Sequence, residues 1–515
     1  MEKDVNRPMY PEPIWRQDTA FPPFPKLEAD VNAEVAVIGA GIVGITTAYL
    51  LGKKGHRVVL VDAGSVLNGT TGHTTAKVTI QHGLYYDELI QNVGVEKASK
   101  YVNANQDALN WMRKWVNEQK VDCHWKEEDA FLYTSIHENL DKLMKEQAAY
   151  EALKISGDFV QKMPHDFDSL GAVRIRKQAQ FHPLKYLQHM LDEMKDMDIR
   201  IFENTVATQI KEGKKVRVIT NEMHTIVSDF VVVATHFPMY WKGLYFARMY
   251  AERAYVIACK MKSAYKGGMY VNVEEPRRSI RSSIFNGEEV VFITGENHKT
   301  GQGKDTLLHY KELEQFASTH FKMNKYLARW STQDLVTSDK VPYVGKMTKN
   351  TDNIFVATGF HKWGMTNGTA AAHLLTDLIL GKENPFEDVV SPTRFHAKVD
   401  VKQWLIQNSD VAKHYIKGKA VFPTKKASQL QKDEGAIIDF GGERKGAYKC
   451  TNGVTHIVDT TCTHLGCELA WNSGDRTWDC PCHGSRFSYK GQVIEGPADK
   501  PLTYEHYIDE MDKPV

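Results

Sequence analysis

Glu34-Val-Ala-Val-Ile38-Gly39-Ala-Gly41-Ile-Val-Gly44 is the stretch on which the fold turns. Glu34 to Ile38 is a short apolar run of the kind buried on both faces of a parallel sheet. Three glycines follow at once, then Ile45 to Lys54 with apolar residues at helical spacing, then a second apolar run, Arg57 to Val61, ending on Asp62. This strand, glycine loop, helix, strand and acid form the full context of a dinucleotide-binding βαβ unit. Gly39 makes the tight turn, Gly41 lets the backbone approach a pyrophosphate, and Gly44 lets helix and strand pack closely. Asp62 is placed to take ribose hydroxyls. The bland alternative is a set of buried strands with chance glycines.

A second constellation lies near the other end. Cys462-Thr-His464-Leu-Gly-Cys467 is followed, after a spacer, by Cys480-Pro-Cys482-His483-Gly-Ser485. A Rieske [2Fe–2S] centre needs two thiolates on one iron and two imidazoles on the other. Two loops, one giving Cys462 and His464 and the other Cys480 and His483, meet that need. A Cys₂His₂ zinc site is the competing reading, but it leaves the second cysteine of each loop and the Gly-Ser after His483 without a purpose.

The cluster segment resembles the Rieske proteins of respiratory and photosynthetic cytochrome complexes. That resemblance implies a Cys467–Cys482 disulfide tying the loops together, and a Ser485 hydroxyl donating to a bridging sulfide. Where high-potential members carry a tyrosine, this chain has Phe487. Hydrogen bonds to the sulfurs raise the potential. The expectation is therefore a potential below the top of the Rieske range of roughly −150 to +300 mV.

The stretch after Asp62, including Thr71, His73 and Thr74, resembles the flavin-proximal loop of the D-amino-acid oxidase and glycine oxidase superfamily. Three further stretches match that family in order. They are Glu203-Asn-Thr-Val206, whose valine backbone would touch adenine, Asp229 to Thr235, and Asn353 to Thr366 with its following helix. Asp339 to Gly345 matches a family signature as well. The resemblance implies FAD, held also by Gly359, Gly364, Met365 and Thr366, with a helix N-terminus aimed at the flavin pyrimidine. His73 stands where one branch of the family links histidine covalently to flavin; the simpler expectation is a hydrogen-bonded histidine.

The chain has no second strand-borne glycine motif. Gly301-Gln-Gly303 lies outside any apolar strand or helix context. That argues for a substrate oxidised directly at the flavin, with no nicotinamide site. Family members build a substrate sheet from the region corresponding to Tyr255 to Phe292. Arg281 there would bind a substrate carboxylate, the simpler expectation being a solvated surface arginine. His361 and Lys362 would face substrate or serve as scaffold. No catalytic acid or base is named by the sequence.

Length and composition bound the rest. The chain has 515 residues, 42% hydrophobic and 25% charged, with net charge +1. Two or three domains fit that length, and the near-zero charge gives no reason to expect nucleic acid or an acidic membrane surface. No run approaches the roughly 20 apolar residues of a membrane span. The Pro- and aromatic-rich N-terminus does not read as a signal peptide, and the expected location is the cytoplasm. The expected fold class is α/β (α+β): residues 1–30 an arm; 31–395 a Rossmann-like FAD domain with an interleaved antiparallel substrate sheet, its FAD segments about 31–85, 195–240 and 335–385; 396–433 a helical connector and linker; 434–515 a small all-β Rieske domain.

The resulting expectation is an amine- or amino-acid-oxidising flavoprotein dehydrogenase. Its electrons would leave one at a time through the cluster to an external one-electron acceptor. Two other readings stay open: reverse flow, with the cluster as electron entry, and an electron carrier or redox sensor without turnover. A Rieske oxygenase would need a mononuclear iron site. His182 and His189 are a candidate pair, but no acid groups with them in the sequence.

Overall fold

The computed structural model describes residues 11–165, 168–394 and 423–508, the last three without side chains. The expected helical connector lies mostly outside the described residues.

The glycine-loop unit forms as read. Val35–Ile38 pairs in parallel with Val58–Val61, and all eight residues are buried, so an unbroken apolar run suits them. A six-stranded sheet grows around this pair. Its order is Tyr343–Lys346, Ile354–Thr358, Phe230–Val233, Val35–Ile38, Val58–Val61 and Ile199–Phe202, parallel except for the first strand. Helix Ile42–Gly52 leaves the glycine loop and packs on helix Gly364–Ile379. Gly368 permits this, because a Cβ there would come within 3.1 Å of the Ile42 side chain.

A nine-stranded sheet provides the other wall. Its long strands include Met249–Met261, Arg278–Phe285, Glu288–Lys299 and Met323–Thr337. It is antiparallel apart from Met269–Asn272, which pairs in parallel with Lys126–Thr134. Helix Tyr86–Glu118 crosses the domain with a break at Gly94, where φ is 82°.

Residues 11–30 are not a loose arm. Ile14 and Trp15 lie in the main core, and Glu12 and Leu27 are tied by backbone N–H bonds to Arg329 and Thr205. Pro and aromatic content alone does not show what this segment covers.

The small domain is two antiparallel four-stranded sheets. One comprises Glu434–Phe440, Glu443–Lys449, Thr455–Val458 and Tyr504–Ile508; the other Ala470–Asn472, Thr477–Asp479, Arg486–Ser488 and Val493–Glu495. It begins earlier than the sequence reading placed it. Leu430 is in its core with Ile438, Ala447 and Ile457, and Asp439 N–H donates to the Lys425 carbonyl. Low apolar content disguised a segment that packs through one leucine.

Candidate functional site: a flavin cleft joined to a cluster pocket

The glycine loop is built for close approach. A Cβ on Gly44 would sit 1.9 Å from the Gly39 carbonyl oxygen, and one on Gly39, where φ is 103°, 2.5 Å from the Ala234 oxygen. Gly41 caps helix Ile42–Gly52 without a side chain, and Thr71 Oγ accepts from the Ile42 N–H at 3.1 Å. The remaining first-turn N–H groups are free for an anion. Asp62 accepts from the N–H groups of Ala40 and Gly64 at 2.8 and 2.9 Å, so its carboxylate is anchored beside the loop with lone pairs to spare. Burial, with Glu203 nearby, raises its pKa despite those bonds.

Glu203 is a residue the sequence reading quoted without a role. Its two oxygens accept from Val66 and Phe24 N–H, locking the loop after Asp62 to the N-terminal segment. The Val206 carbonyl accepts from Asn221 N–H at 2.8 Å.

Two further loops adjoin the glycine-loop helix. In the first, His73 Nδ1 bonds the Gly69 carbonyl at 2.9 Å. A carbonyl only accepts, so Nδ1 carries the proton and Nε2 keeps its lone pair. Burial lowers the His73 pKa, which favours that neutral ring. Thr74 Oγ accepts from Ala76 N–H, and the Thr74 carbonyl accepts from the Trp15 indole at 2.7 Å.

The second loop enters helix Gly364–Ile379, whose N-terminus carries no capping side chain. Gly364, Met365 and Thr366 thus present unpaired N–H groups, and Gly359, where φ is 77°, closes over Thr337. His361 and Lys362 both have positive φ. Lys362 N–H donates to Asp334 at 3.0 Å and its ammonium pairs with Glu252 at 2.5 Å, so it holds the loop in place. Burial raises Asp334 to about 6 despite Lys362.

Arg281 corrects the expectation of a solvated surface residue: it is 1% exposed. Its guanidinium lies 5.4 and 5.0 Å from the Trp15 and Phe292 ring centroids. One nitrogen donates to Gln180 at 3.3 Å, while Nε and Nη2 have no partner. Lys77, which the sequence reading passed over, donates to Ser279 and lies 5.6 Å from the Trp363 ring centroid. Among the described residues no carboxylate pairs with either cation.

The cluster pocket gathers the four expected ligands. Cys462 is held down to about 7 by the neighbouring Cys480 thiol, with the His464 N–H, the Ser485 hydroxyl and the Leu465 N–H, against the cost of burial. The His464 and His483 rings are 5.1 Å apart, and both Nδ1 atoms are buried without a partner. Two orphaned imidazole nitrogens beside two thiols fit a metal centre. Cys467 and Cys482 form a disulfide, which removes them from any ligand set despite their closeness to Cys480. Ser485 Oγ accepts from Ala498 N–H at 3.0 Å, leaving its proton to point at sulfur, and Phe487 is buried against Trp478. His182 instead caps a helix and pairs with Asp18 at 2.9 Å, while His189 packs on Trp115. Among the described residues these two join no three-ligand group.

The two sites meet at a buried interface that no local spacing of residues encodes. Arg253, fully buried, donates to Ser331, Gln333 and Glu495 at 2.8 to 3.1 Å and lies 3.6 Å from Asp479. Asp475 accepts from Tyr310, Ser331 and Arg486. Gln333 Nε2 donates to the carbonyl of Gly484, next to His483, at 3.0 Å. Its own carbonyl accepts from Thr70 in the first flavin loop at 3.3 Å. The chain after strand Phe230–Val233 also links the sites: Ala234 touches the glycine loop, and Phe237 lies 6.2 and 6.3 Å from the rings of His464 and His483. Gly301, of the glycine pair that matched no nucleotide motif, faces Pro481, whose nitrogen would be 2.7 Å from a Cβ there. His483 is 5% exposed and faces inward; Trp241, 54% exposed, stacks on His464 at 5.4 Å.

Comparison with known proteins agrees with this geometry. A family model described as FAD dependent oxidoreductase matches residues 34–378, and one described as Rieske [2Fe-2S] domain matches residues 420–506. The chain is 47% identical over 493 residues to the Rieske 2Fe-2S iron-sulfur protein YhfW of Bacillus subtilis (strain 168), spanning 96% of this chain and 97% of that one. Its fold resembles glycine oxidase from Geobacillus kaustophilus, with TM-score 0.60 and 16% identity over 71% of this chain and 99% of the other. It also resembles L-amino acid deaminase from Proteus vulgaris, with TM-score 0.57 and 16% identity over 73% and 100%. With both nucleotide loops and the ligand pocket in place, the chain belongs to the FAD dependent oxidoreductase family and carries a Rieske [2Fe-2S] domain beside its flavin site.

Proposed function

We propose that the chain is a dehydrogenase for a small amine or amino acid that bears a carboxylate, and that its electrons leave through the cluster to an external one-electron acceptor. The observation that carries this reading is the buried interface, where Gln333 bonds both the first flavin loop and the loop of His483. A cluster seated there is an immediate neighbour of the flavin cleft.

Bound FAD supplies a hydride acceptor, and the [2Fe–2S] cluster supplies a one-electron store. The chain itself orients and shields. Arg281 offers Nε and Nη2, a fork suited to a carboxylate. Trp15, Phe292 and Trp363 give the cleft apolar walls that exclude water and strengthen the charge contact. The uncapped N-terminus of helix Gly364–Ile379 favours negative charge at the flavin. The names of the structural neighbours, glycine oxidase and L-amino acid deaminase, support an amine substrate. We place the reaction in the cytoplasm, in keeping with the unpaired thiols of Cys123, Cys259 and Cys450.

The test is anaerobic mixing of the holoenzyme with a panel of amines and amino acids, following flavin bleaching and the reduced-cluster EPR signal separately. Bleaching followed by cluster reduction is expected with a carboxylate-bearing amine. Bleaching without cluster reduction sinks the electron path; no bleaching by any member sinks the substrate class.

A further inference from the structure

We propose that Lys77 receives the proton that an ammonium-form substrate must lose before its C–H can be oxidised, and that a carboxylate on Arg281 enables it to do so. This rests on the substrate class proposed above.

The placement comes from three strands. Lys77 stands opposite Gln180 in the ladder between Lys77–Val78 and Gly171–Gln180, and Gln180 is the residue that holds Arg281. Ser279, which accepts from the Lys77 ammonium, lies two residues before Arg281 and so on the same face of strand Arg278–Phe285. The ring centroid of Trp363, on the second flavin loop, lies 5.6 Å from Lys77 Nζ. These contacts set Lys77 Nζ between the strand that bears Arg281 and the second flavin loop, the place the proposal gives to the substrate amine.

The charges facing Lys77 are Arg281 and Lys362, the latter paired with Glu252. Lys77 and Arg281 have no carboxylate partner among the described residues, so two cations repel across a site of low dielectric. One of them yields its proton more readily. Arg281, pushed down to about 9 by burial, stays charged near neutrality. Burial, then Arg281 and Lys362, hold Lys77 at about 7, so above neutral pH it is largely a free amine. A carboxylate seated on Arg281 cancels the repulsion and raises the proton affinity of Lys77. The step then balances without a co-reactant. An N–H bond of the substrate ammonium breaks, its electron pair stays on the substrate nitrogen, and a new N–H bond forms on Lys77 Nζ. The substrate amine keeps the lone pair that hydride departure from the neighbouring carbon requires.

The experiment uses propionate, a carboxylate with no amine to oxidise. It is titrated into the holoenzyme in weakly buffered solution with a pH-indicator dye, and binding is followed by the flavin absorbance. At pH 8 the wild type should take up close to one proton per propionate bound, and the uptake should fade below about pH 6, where Lys77 is already protonated. Lys77→Met and Lys77→Arg, each checked for FAD content and cluster EPR, should bind propionate with no uptake. In both variants anaerobic flavin reduction by a substrate amino acid should shift toward alkaline pH by ~2 units, toward the amine's own pKa. Uptake in Lys77→Met equal to wild type, or binding by the wild type with no uptake, overturns the role of Lys77 and leaves the carboxylate site standing. Failure of propionate to bind the wild type overturns both.

Discussion

The two redox sites of this protein are built on opposite plans. The cluster pocket takes all four ligands and its disulfide from residues 462–483, two neighbouring loops of one small domain. The flavin cleft is assembled from residues as far apart as Trp15, Gly39, Lys77, Arg281 and Trp363, which are brought together by two sheets. The first is held by a covalent bridge and by coordination, the second by packing and backbone hydrogen bonds. A compact site should fail through loss of one ligand and leave its surroundings intact. A dispersed site should fail through any backbone displacement. The interface around Arg253 joins the two sites while each keeps its own means of holding its cofactor.

The largest effects should come from mirror-image substitutions. Cys480→Ser should abolish the reduced-cluster EPR signal while FAD stays at full occupancy. Gly44→Ala, with its Cβ 1.9 Å from the Gly39 oxygen, should do the reverse. It should lose FAD and about 3 kcal/mol of large-domain stability, overpacking at backbone being among the costlier kinds. Loss of both cofactors in either variant would break the contrast.

Arg253→Met comes next. It leaves Glu495 and Asp479 buried with Arg486 as their remaining cation, at a cost of about 3 kcal/mol. A single thermal transition should split into two, and electron transfer from flavin to cluster should slow. The same pair has a pH signature. Burial raises the Glu495 carboxyl, but Arg253 and Arg486 outweigh it and hold it at about 2. A carboxyl depressed on folding stabilises above its unfolded pKa of about 4.3, and that contribution is lost as pH falls through the folded value. Docking should therefore be flat from pH 5 to 8 and weaken toward pH 2, as measured by calorimetry.

A smaller effect is expected from Cys467→Ser/Cys482→Ser. The bridge spans a sequence separation of 15, which is worth about 3 kcal/mol. The cluster should be lost at lower temperature, with the flavin-domain transition unmoved. The smallest effect sharpens the chemistry. Phe487→Tyr would add one donor beside the sulfurs. A hydrogen bond of about 1 kcal/mol corresponds to ~40 mV for one electron, so a potentiometric titration should show a rise of that order.

Legibility in the sequence followed the same division. Cys462, His464, Cys480 and His483 were readable because ligand spacing within a loop is a local property. Gly39, Gly41 and Gly44 were readable because a turn and a close approach each demand a glycine wherever they occur. The burial of Arg281 is not legible, since a lone arginine on an alternating strand carries no mark of what will cover it. Trp15 covers it from 266 residues away in the chain. Lys77 was missed for the same reason: its neighbours Ser279 and Trp363 belong to other segments. Gly301 was rejected as a nucleotide glycine, and the structure gives it a different task against Pro481.

The sequence by itself determined that a dinucleotide loop and a Rieske ligand set share one chain, because both are specified by residues within hydrogen-bonding or coordinating reach along the backbone. Only the tertiary structure decided that the two meet. It placed Gln333 between their loops, turned His483 inward, and set half-buried Lys77 near buried Arg281 with no counter-ion among the described residues. Long-range pairing and charge burial are set by how sheets pack, and no local spacing of residues encodes which distant side chain will arrive.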